Sequence, residues 1–407
     1  MFEPREYQNE ISEKGYKILN SQKILVLNMQ VRTGKTITSF LVANKAKCES
    51  VLFITKKKVI ESNTIKNDFD LVKPSFSLTQ INFESVHKVN GKDFDLIIVD
   101  ESHSLGAYPK PSQRTKKVKE IISGKRVILL TGTLSPESYS QIFHQFWISE
   151  FSPFTEKSFY KWAQNYVNIT KKKINGYDVN NYSDANENLI RQKTAKYILT
   201  YTQEKAGFTT KVNEHVLYVQ MKPTTYELVN KLKKDLVFEG KNGGVILADT
   251  GVKLLQKVHQ IYSGTVKLED GTGTIIDTSK ADFIKERFKG KKIGIFYKFK
   301  QELELLKNVF GSSITTDLNE FNTTDKNMAL QIISKREGIS LKNADYLIFF
   351  NIDYSATSYF QAKDRMTTKE RLQNDVYWIF SKGGIEDHIY KQVSNKKNFT
   401  LNHFRGL

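Results

Sequence analysis

Eight short stretches of this 407-residue chain are β-rich, and the four early ones are apolar throughout rather than alternately apolar and polar. Four come early: "KILVLNM" (23–29), "SVLFIT" (50–55), "FDLIIVD" (94–100) and "KRVILLTG" (125–132). Four come late: "KKIGIFYKF" (291–299), "LQIIS" (330–334), "YLIFFNI" (346–352) and "DVYWIFS" (375–381). A strand with one wet face alternates, so a continuous apolar run has to be covered on both faces, as in a parallel sheet sandwiched by helices. Longer helical or polar stretches follow each run. Two separated blocks of strand–helix units predict an α/β chain with two tandem lobes.

Between the blocks, from about 150 to 245, the chain is aromatic and charged. "SFYKWAQNYV" and "NENLIRQKTAKYIL" read as helices, and "HVLYVQM" (215–221) as one more strand. The polar, turn-rich "KKKINGYDVNNYSDANEN" (171–188) and "FEGKNGGVILADTG" read as exposed loops. "KPTTYELVNKLKKDLV" reads as a helix with Pro223 near its start.

The length allows two or three domains, and 39% apolar residues suffice for packed interiors. The apolar runs fall far short of the roughly 20 residues that cross a membrane as a helix. With one cysteine, Cys48, and a first segment, "MFEPREYQNE", unlike a signal peptide, the expectation is a soluble, cytoplasmic protein without membrane association. Cys48 and the seven histidines have no zinc-like spacing, so no structural metal is expected. The net charge of +18 favours a polyanionic partner such as nucleic acid, although a lysine-rich composition of AT-rich coding origin gives the same excess.

Chemistry-bearing residues cluster at the ends of the early runs. "MQVRTGKTITS" (29–39) leaves a buried strand and enters an apparent helix, the context of a phosphate loop. Backbone N–H groups at such a helix start face phosphate oxygens, and the helix dipole adds positive potential. Gly34 permits close backbone approach, Lys35 would reach the β- and γ-phosphates, and the Thr36 hydroxyl would ligate Mg2+. Arg32 and Thr33 complete the loop, where a second glycine is usual further upstream. "FDLIIVDESHSLG" places Asp100 and Glu101 at a strand's carboxyl end, where ligands of parallel sheets bind. Asp100 would hold the magnesium shell and Glu101 would polarise the attacking water. In "ILLTGTLSPES", Thr131 and Thr133 flank Gly132; they either link the nucleotide site to motion elsewhere or form a plain strand-to-loop turn.

The phosphate loop, "DESH" and "TGT", in that order, resemble helicase superfamily two, and more narrowly its Swi/Snf-like branch. "PREYQNEI" (4–11) is similar to the family's adenine-recognition segment, with Gln8 on the base and Arg5 and Tyr7 nearby. "LTGTLSPES", "KLLQKVHQIYSG" (253–264), "SKADFI", "ISKREGISLKNADYLIFFNIDYSATSYFQAKDR" and "GGIEDHIYKQVSNKK" resemble later family segments in family order. The resemblance implies two RecA-like lobes with a helical protrusion: lobe 1 over 1–150, the protrusion over 151–214 and lobe 2 over 215–407. It implies ATP and Mg2+ as cofactors, bound between the lobes, with Gln361 and Arg365 of the sixth motif and Gly338 of the fifth on the nucleotide. Nucleic acid would be touched by Thr55, Lys56 and Lys57, by Asn82 and Ser85 of "INFESVHKV", by Thr131, and by Ser334 and Ser340.

Three positions depart from the family pattern. Thr368 stands where a second arginine is usual, and Arg371, one helical turn on, is the candidate substitute. Arg32 stands at a usual glycine of the phosphate loop, and Glu337 at a glycine of the fifth motif. The expected activity is an ATP-dependent DNA translocase or helicase, of a minimal bacteriophage type active in replication or recombination. The partners expected are single-stranded or duplex DNA and other replication proteins, with the motor itself a monomer. An RNA helicase, or a nucleic-acid clamp with weak or lost ATPase activity, are the alternatives.

Overall fold

The structure is a computed structural model that describes residues 2–174, 177–208, 211–240, 243–332, 341–355, 358–359, 362, 366 and 373–395. The chain forms two compact units, Met1–Phe208 and Thr209–Leu407.

The strands of the first unit are β1 (Ile24–Met29), β2 (Ser50–Thr55), β3 (Ser77–Asn82), β4 (Leu96–Val99), β5 (Arg126–Thr131), β6 (Thr170–Ile174), β7 (Tyr177–Asn181) and β8 (Ile198–Tyr201). Six of them form one sheet in the order β3-β2-β4-β5-β1-β8, every neighbour parallel. The pleat sends alternate residues to opposite faces. Leu25, Leu27, Phe53 and Ile98 pack with Phe40, Val42 and Leu19 of the helices on one face. Ile24, Val26, Leu52 and Ile97 meet Phe143, Phe146, Phe159 and Trp162 on the other. Burial on both sides is the reason these runs contain no polar alternation.

The second unit contains β9 (Lys211–Val219), β10 (Val237–Glu239), β11 (Val245–Leu247), β12 (Thr265–Lys267), β13 (Gly273–Ile275), β14 (Ile293–Tyr297), β15 (Ile314–Thr315), β16 (Asn327–Gln331), β17 (Tyr346–Phe349) and β18 (Gln373–Ser381). Its main sheet is also six-stranded and parallel throughout, in the order β15-β16-β14-β17-β18-β9. Phe296, Phe349 and Trp378 line one face, and Ile295, Ile348 and Ile379 the other. The α/β class with two parallel sheets flanked by helices is as expected.

The departures are polar strands. β3, "SLTQIN", lies at a sheet edge with mostly exposed or half-buried residues, so its sequence carries no apolar run. The stretch 171–188 is not an open loop: β6 and β7 pair antiparallel across it. "NENLIRQKTAKYIL" is α-helical over Glu187–Thr194 and continues as a 3-10 turn over Ala195–Tyr197, and its last residues enter β8 beside β1. The loop expected over "FEGKNGGVILADTG" contains the antiparallel pair β10–β11. β9 starts at Lys211, ahead of the apolar run at 215, because its first residues pair with the polar Gln373, Asn374 and Asp375. No helix among the described residues is long and apolar enough to cross a membrane.

Candidate nucleotide-binding site

Because all six strands of the first sheet run the same way, their carboxyl ends share one edge, where loops can converge on a ligand. The loop leaving β1 passes into α2 (Lys35–Lys45), with Gly34 as the residue ahead of the helix. Gly34 has φ +76°, a conformation that strains any residue with a side chain, and a Cβ there would fall 2.3 Å from Gln8 Nε2, so that side chain would have to shift. Arg32, at the position of the usual glycine, is also left-handed, with φ +64°. For a residue with a side chain that conformation costs about 1 to 2 kcal/mol.

The rest of the loop is held by hydrogen bonds. Thr33 is buried and its hydroxyl donates to Gln30 O at 2.7 Å. Tyr7 OH donates to Thr33 O at 3.1 Å, and Arg5 Nη1 donates to Tyr7 OH at 2.9 Å. The Arg5 N–H donates to Gln8 Oε1 at 3.0 Å, which fixes the first turn of α1 (Glu6–Gln22). The segment expected to read the base and the segment expected to hold the phosphates are therefore one hydrogen-bonded assembly. Thr36 lies half-buried in the first turn of α2.

Lys35 reaches across to β5: a Cβ on Gly132 would lie 3.7 Å from Lys35 Nζ. Asp100 follows β4 on the same edge. Its Oδ2 accepts Thr55 Oγ1 at 2.9 Å and its Oδ1 accepts the Glu101 N–H at 2.9 Å. Burial first, and the neighbouring Glu101 charge second, push the Asp100 carboxyl up to about 6, although the Lys35 ammonium and the Thr55 hydroxyl pull it down. A buried acid raised by a second acid is short of positive charge.

Glu101 is left-handed, with φ +49°, and its Oε2 lies 3.2 Å from His103 Nδ1. The same nitrogen is 3.2 Å from Thr131 Oγ1. That hydroxyl already donates to Thr133 O at 2.9 Å and accepts the Thr133 N–H at 3.2 Å. Both partners of Nδ1 can only accept, so Nδ1 carries a proton. His103 thus ties Glu101 to the "TGT" turn.

A sequence model of the family described as "Type III restriction enzyme, res subunit" matches residues 1–136. Its span contains the phosphate loop, "DESH" and "TGT". No curated protein matches the chain. Among solved structures, the chain is similar to the Sulfolobus solfataricus SWI2/SNF2 ATPase core in complex with dsDNA, at 16% identity and a TM-score of 0.43, over 97% of this chain and 91% of the other. It is similar to the Sulfolobus solfataricus SWI2/SNF2 ATPase core domain at 16% identity and a TM-score of 0.41, over 97% and 89%.

The residues expected on nucleic acid fall into two groups. Lys56 and Lys57 follow β2 at the carboxyl edge, and Asn82 is paired in register with Thr55, with Ser85 just beyond. Asn82 Oδ1 accepts the Ser85 N–H at 2.9 Å. Thr55 and Thr131, by contrast, are buried, their hydroxyls bound to Asp100 and to the "TGT" turn. Ser334, Gly338, Ser340, Gln361, Arg365 and Arg371, with Glu337 and Thr368, lie outside the described residues.

Sequence reasoning missed three residues here. His103 stood inside the quoted "DESH" without a role. Tyr201, at the end of β8, stacks on Tyr7 with ring centroids 4.5 Å apart. Gln203 donates from Nε2 to Val31 O at 3.1 Å. Neither of the last two carries a local signal, because each meets its partner across more than 170 residues of chain.

Proposed function

We propose that the chain is a nucleic-acid-stimulated ATPase that converts hydrolysis into movement along DNA. The observation that carries the reading is the convergence, on one sheet edge, of a helix start with a left-handed Gly34, the Lys35 ammonium, and the paired acids Asp100 and Glu101. The helix start and Lys35 bind phosphate oxygens. Glu101, oriented by His103, takes the proton of the attacking water.

The donors present suit magnesium. Among the described residues no three His, Cys, Asp or Glu side chains are grouped to hold a metal. One carboxylate and one hydroxyl, Asp100 and Thr36, are hard oxygen donors that leave most of the shell to phosphate and water, as Mg2+ prefers. Bound there, the ion would neutralise phosphate charge during transfer.

DNA as the track is supported by the +18 charge and by Lys56 and Lys57 on the same edge. A minimal motor serving bacteriophage replication or recombination is the setting implied by the family resemblance. The test is ATP hydrolysis by the intact chain with single-stranded, duplex and forked DNA, and with RNA. DNA is expected to stimulate turnover at least tenfold, with a stimulation that declines steeply with salt. Stimulation by RNA alone would make the chain an RNA motor, and no stimulation by any polymer would end the motor reading.

A further inference from the structure

The segment after β8 grips the phosphate loop from outside. Gln30 N–H donates to Tyr201 O at 3.0 Å, and the Gln203 N–H donates to Gln30 Oε1 at 2.7 Å. Gln203 Nε2 then donates to Val31 O at 3.1 Å. Tyr201 stacks on Tyr7, whose hydroxyl holds Thr33 O. Two carbonyls of the loop, Val31 and Thr33, are thus each turned toward a side chain supplied from elsewhere.

In a planar trans peptide the N–H points opposite to the C=O. Fixing Val31 O on Gln203 turns the Arg32 N–H away from the strap, and fixing Thr33 O on Tyr7 does the same for the Gly34 N–H. Arg32 and Gly34 are the two left-handed residues of the loop. Gly34 adopts that conformation freely, whereas Arg32 does so against its own side chain.

We infer that Gln203 is a positioning residue for nucleotide binding: it holds the Val31–Arg32 peptide in the orientation that offers the Arg32 N–H to a phosphate oxygen, a task that glycine's freedom otherwise performs. This rests on the ATPase reading of the same site. It assigns the strand end and turn over 201–203 to the nucleotide site, although they lie far from the phosphate loop in sequence.

The experiment uses the intact chain and measures the affinity of a fluorescent ATP analogue with Mg2+, along with KM and kcat for ATP at saturating DNA. Gln203→Met keeps length and loses the donor; Gln203→Lys keeps a donor. Gln203→Met is expected to weaken analogue binding and raise KM on the order of fivefold, the worth of one hydrogen bond, with kcat nearly unchanged. Gln203→Lys should recover most of the loss. In an Arg32→Gly background the penalty of Gln203→Met should shrink to less than about twofold, because glycine takes the left-handed conformation unaided. If Gln203→Met does not fold, Gln30→Ala, which removes the acceptor of the Gln203 N–H, is expected to show the same KM loss.

Unchanged affinity in both the Gln203 and Gln30 variants would overturn the assignment, as would an equal Gln203→Met penalty with Arg32 and with Gly at position 32. In either case wild-type binding and the Lys35→Ala defect would still stand, so the ATPase reading survives. A wild-type chain that binds no nucleotide removes both.

Discussion

At the carboxyl edge of the first sheet, the buried Asp100 sits beside a second acid, Glu101, and its carboxyl is pushed up. At the carboxyl edge of the second sheet, Asp353 faces Lys298 Nζ at 3.0 Å. Burial raises Asp353 too, but Lys298 and the Ser358 hydroxyl outweigh it and hold the carboxyl low. Close by, Lys280 and Glu386 pair at 3.2 Å with almost no exposure. These two buried ion pairs are closed within the second unit's own chain. In the first, Lys35 and His103 only partly offset the acid pair, whose Asp100 carboxyl stays raised, and the pair lies beside a helix start that favours an anion. A buried acid with a raised pKa marks a candidate functional site, whereas a closed buried ion pair serves structure as well.

The largest expected effect breaks one of the closed pairs. Glu386→Gln strands the Lys280 ammonium in the interior and should cost about 3 to 5 kcal/mol in denaturant unfolding. Replacing both partners with apolar residues, Lys280→Met with Glu386→Leu, should be far milder, since a buried pair is often no more stabilising than good apolar packing. On the first unit, Glu101→Gln should lower kcat by about 100-fold or more while leaving nucleotide affinity within a few-fold, read by hydrolysis and by analogue binding.

Asp100→Asn sharpens the contrast, because it should do opposite things to stability and function. Removing the partly offset charge should stabilise the nucleotide-free protein by about 1 kcal/mol, a rise of a few degrees in Tm, while Mg2+-dependent hydrolysis collapses. The analogous Asp353→Asn in the second unit should only destabilise.

The effect that is smallest at neutral pH is common to both units. His144 is buried against Phe143 and Phe159, and burial holds its imidazole down to about 4. His259 in the second unit is lowered in the same direction by burial and by Lys298 and Lys280. Both are neutral when folded, so the unfolded chain binds more protons below its ordinary histidine value of about 6.5. Stability is therefore full above that pH and declines as the pH falls toward 4, by at most about 1.4 kcal/mol per unit for each histidine. His144→Phe should flatten the acid limb of a stability–pH curve; an unchanged limb would mean that His144 is not held neutral.

The strands that the sequence disclosed, β1, β2, β4, β5, β14, β17 and the second half of β18, are largely apolar and buried, whereas the run "LQIIS" overlaps β16 only at Leu330 and Gln331. β3, β6, β7 and the first half of β9 were silent because they lie at edges or pair polar residues with polar residues, and backbone hydrogen bonding leaves no trace in composition. Gly34 and Lys35 drew attention because they lie between an apolar run and an apparent helix, and Asp100 and Glu101 because they end another run. Position after a strand does not tell whether a hydroxyl faces outward: Thr55, expected on nucleic acid, is buried and donates to Asp100. Tyr201 ends, and Gln203 follows, a strand whose aliphatic content is only "IL", and the residues they meet, Tyr7, Gln30 and Val31, lie far upstream.

The central claim is that the first sheet's carboxyl edge binds and hydrolyses MgATP through Lys35. Steady-state hydrolysis by the wild type and by Lys35→Ala, with saturating DNA and matched melting temperatures, tests it most directly. The account predicts at least a 100-fold lower rate for Lys35→Ala. Equal rates for the two proteins would contradict it.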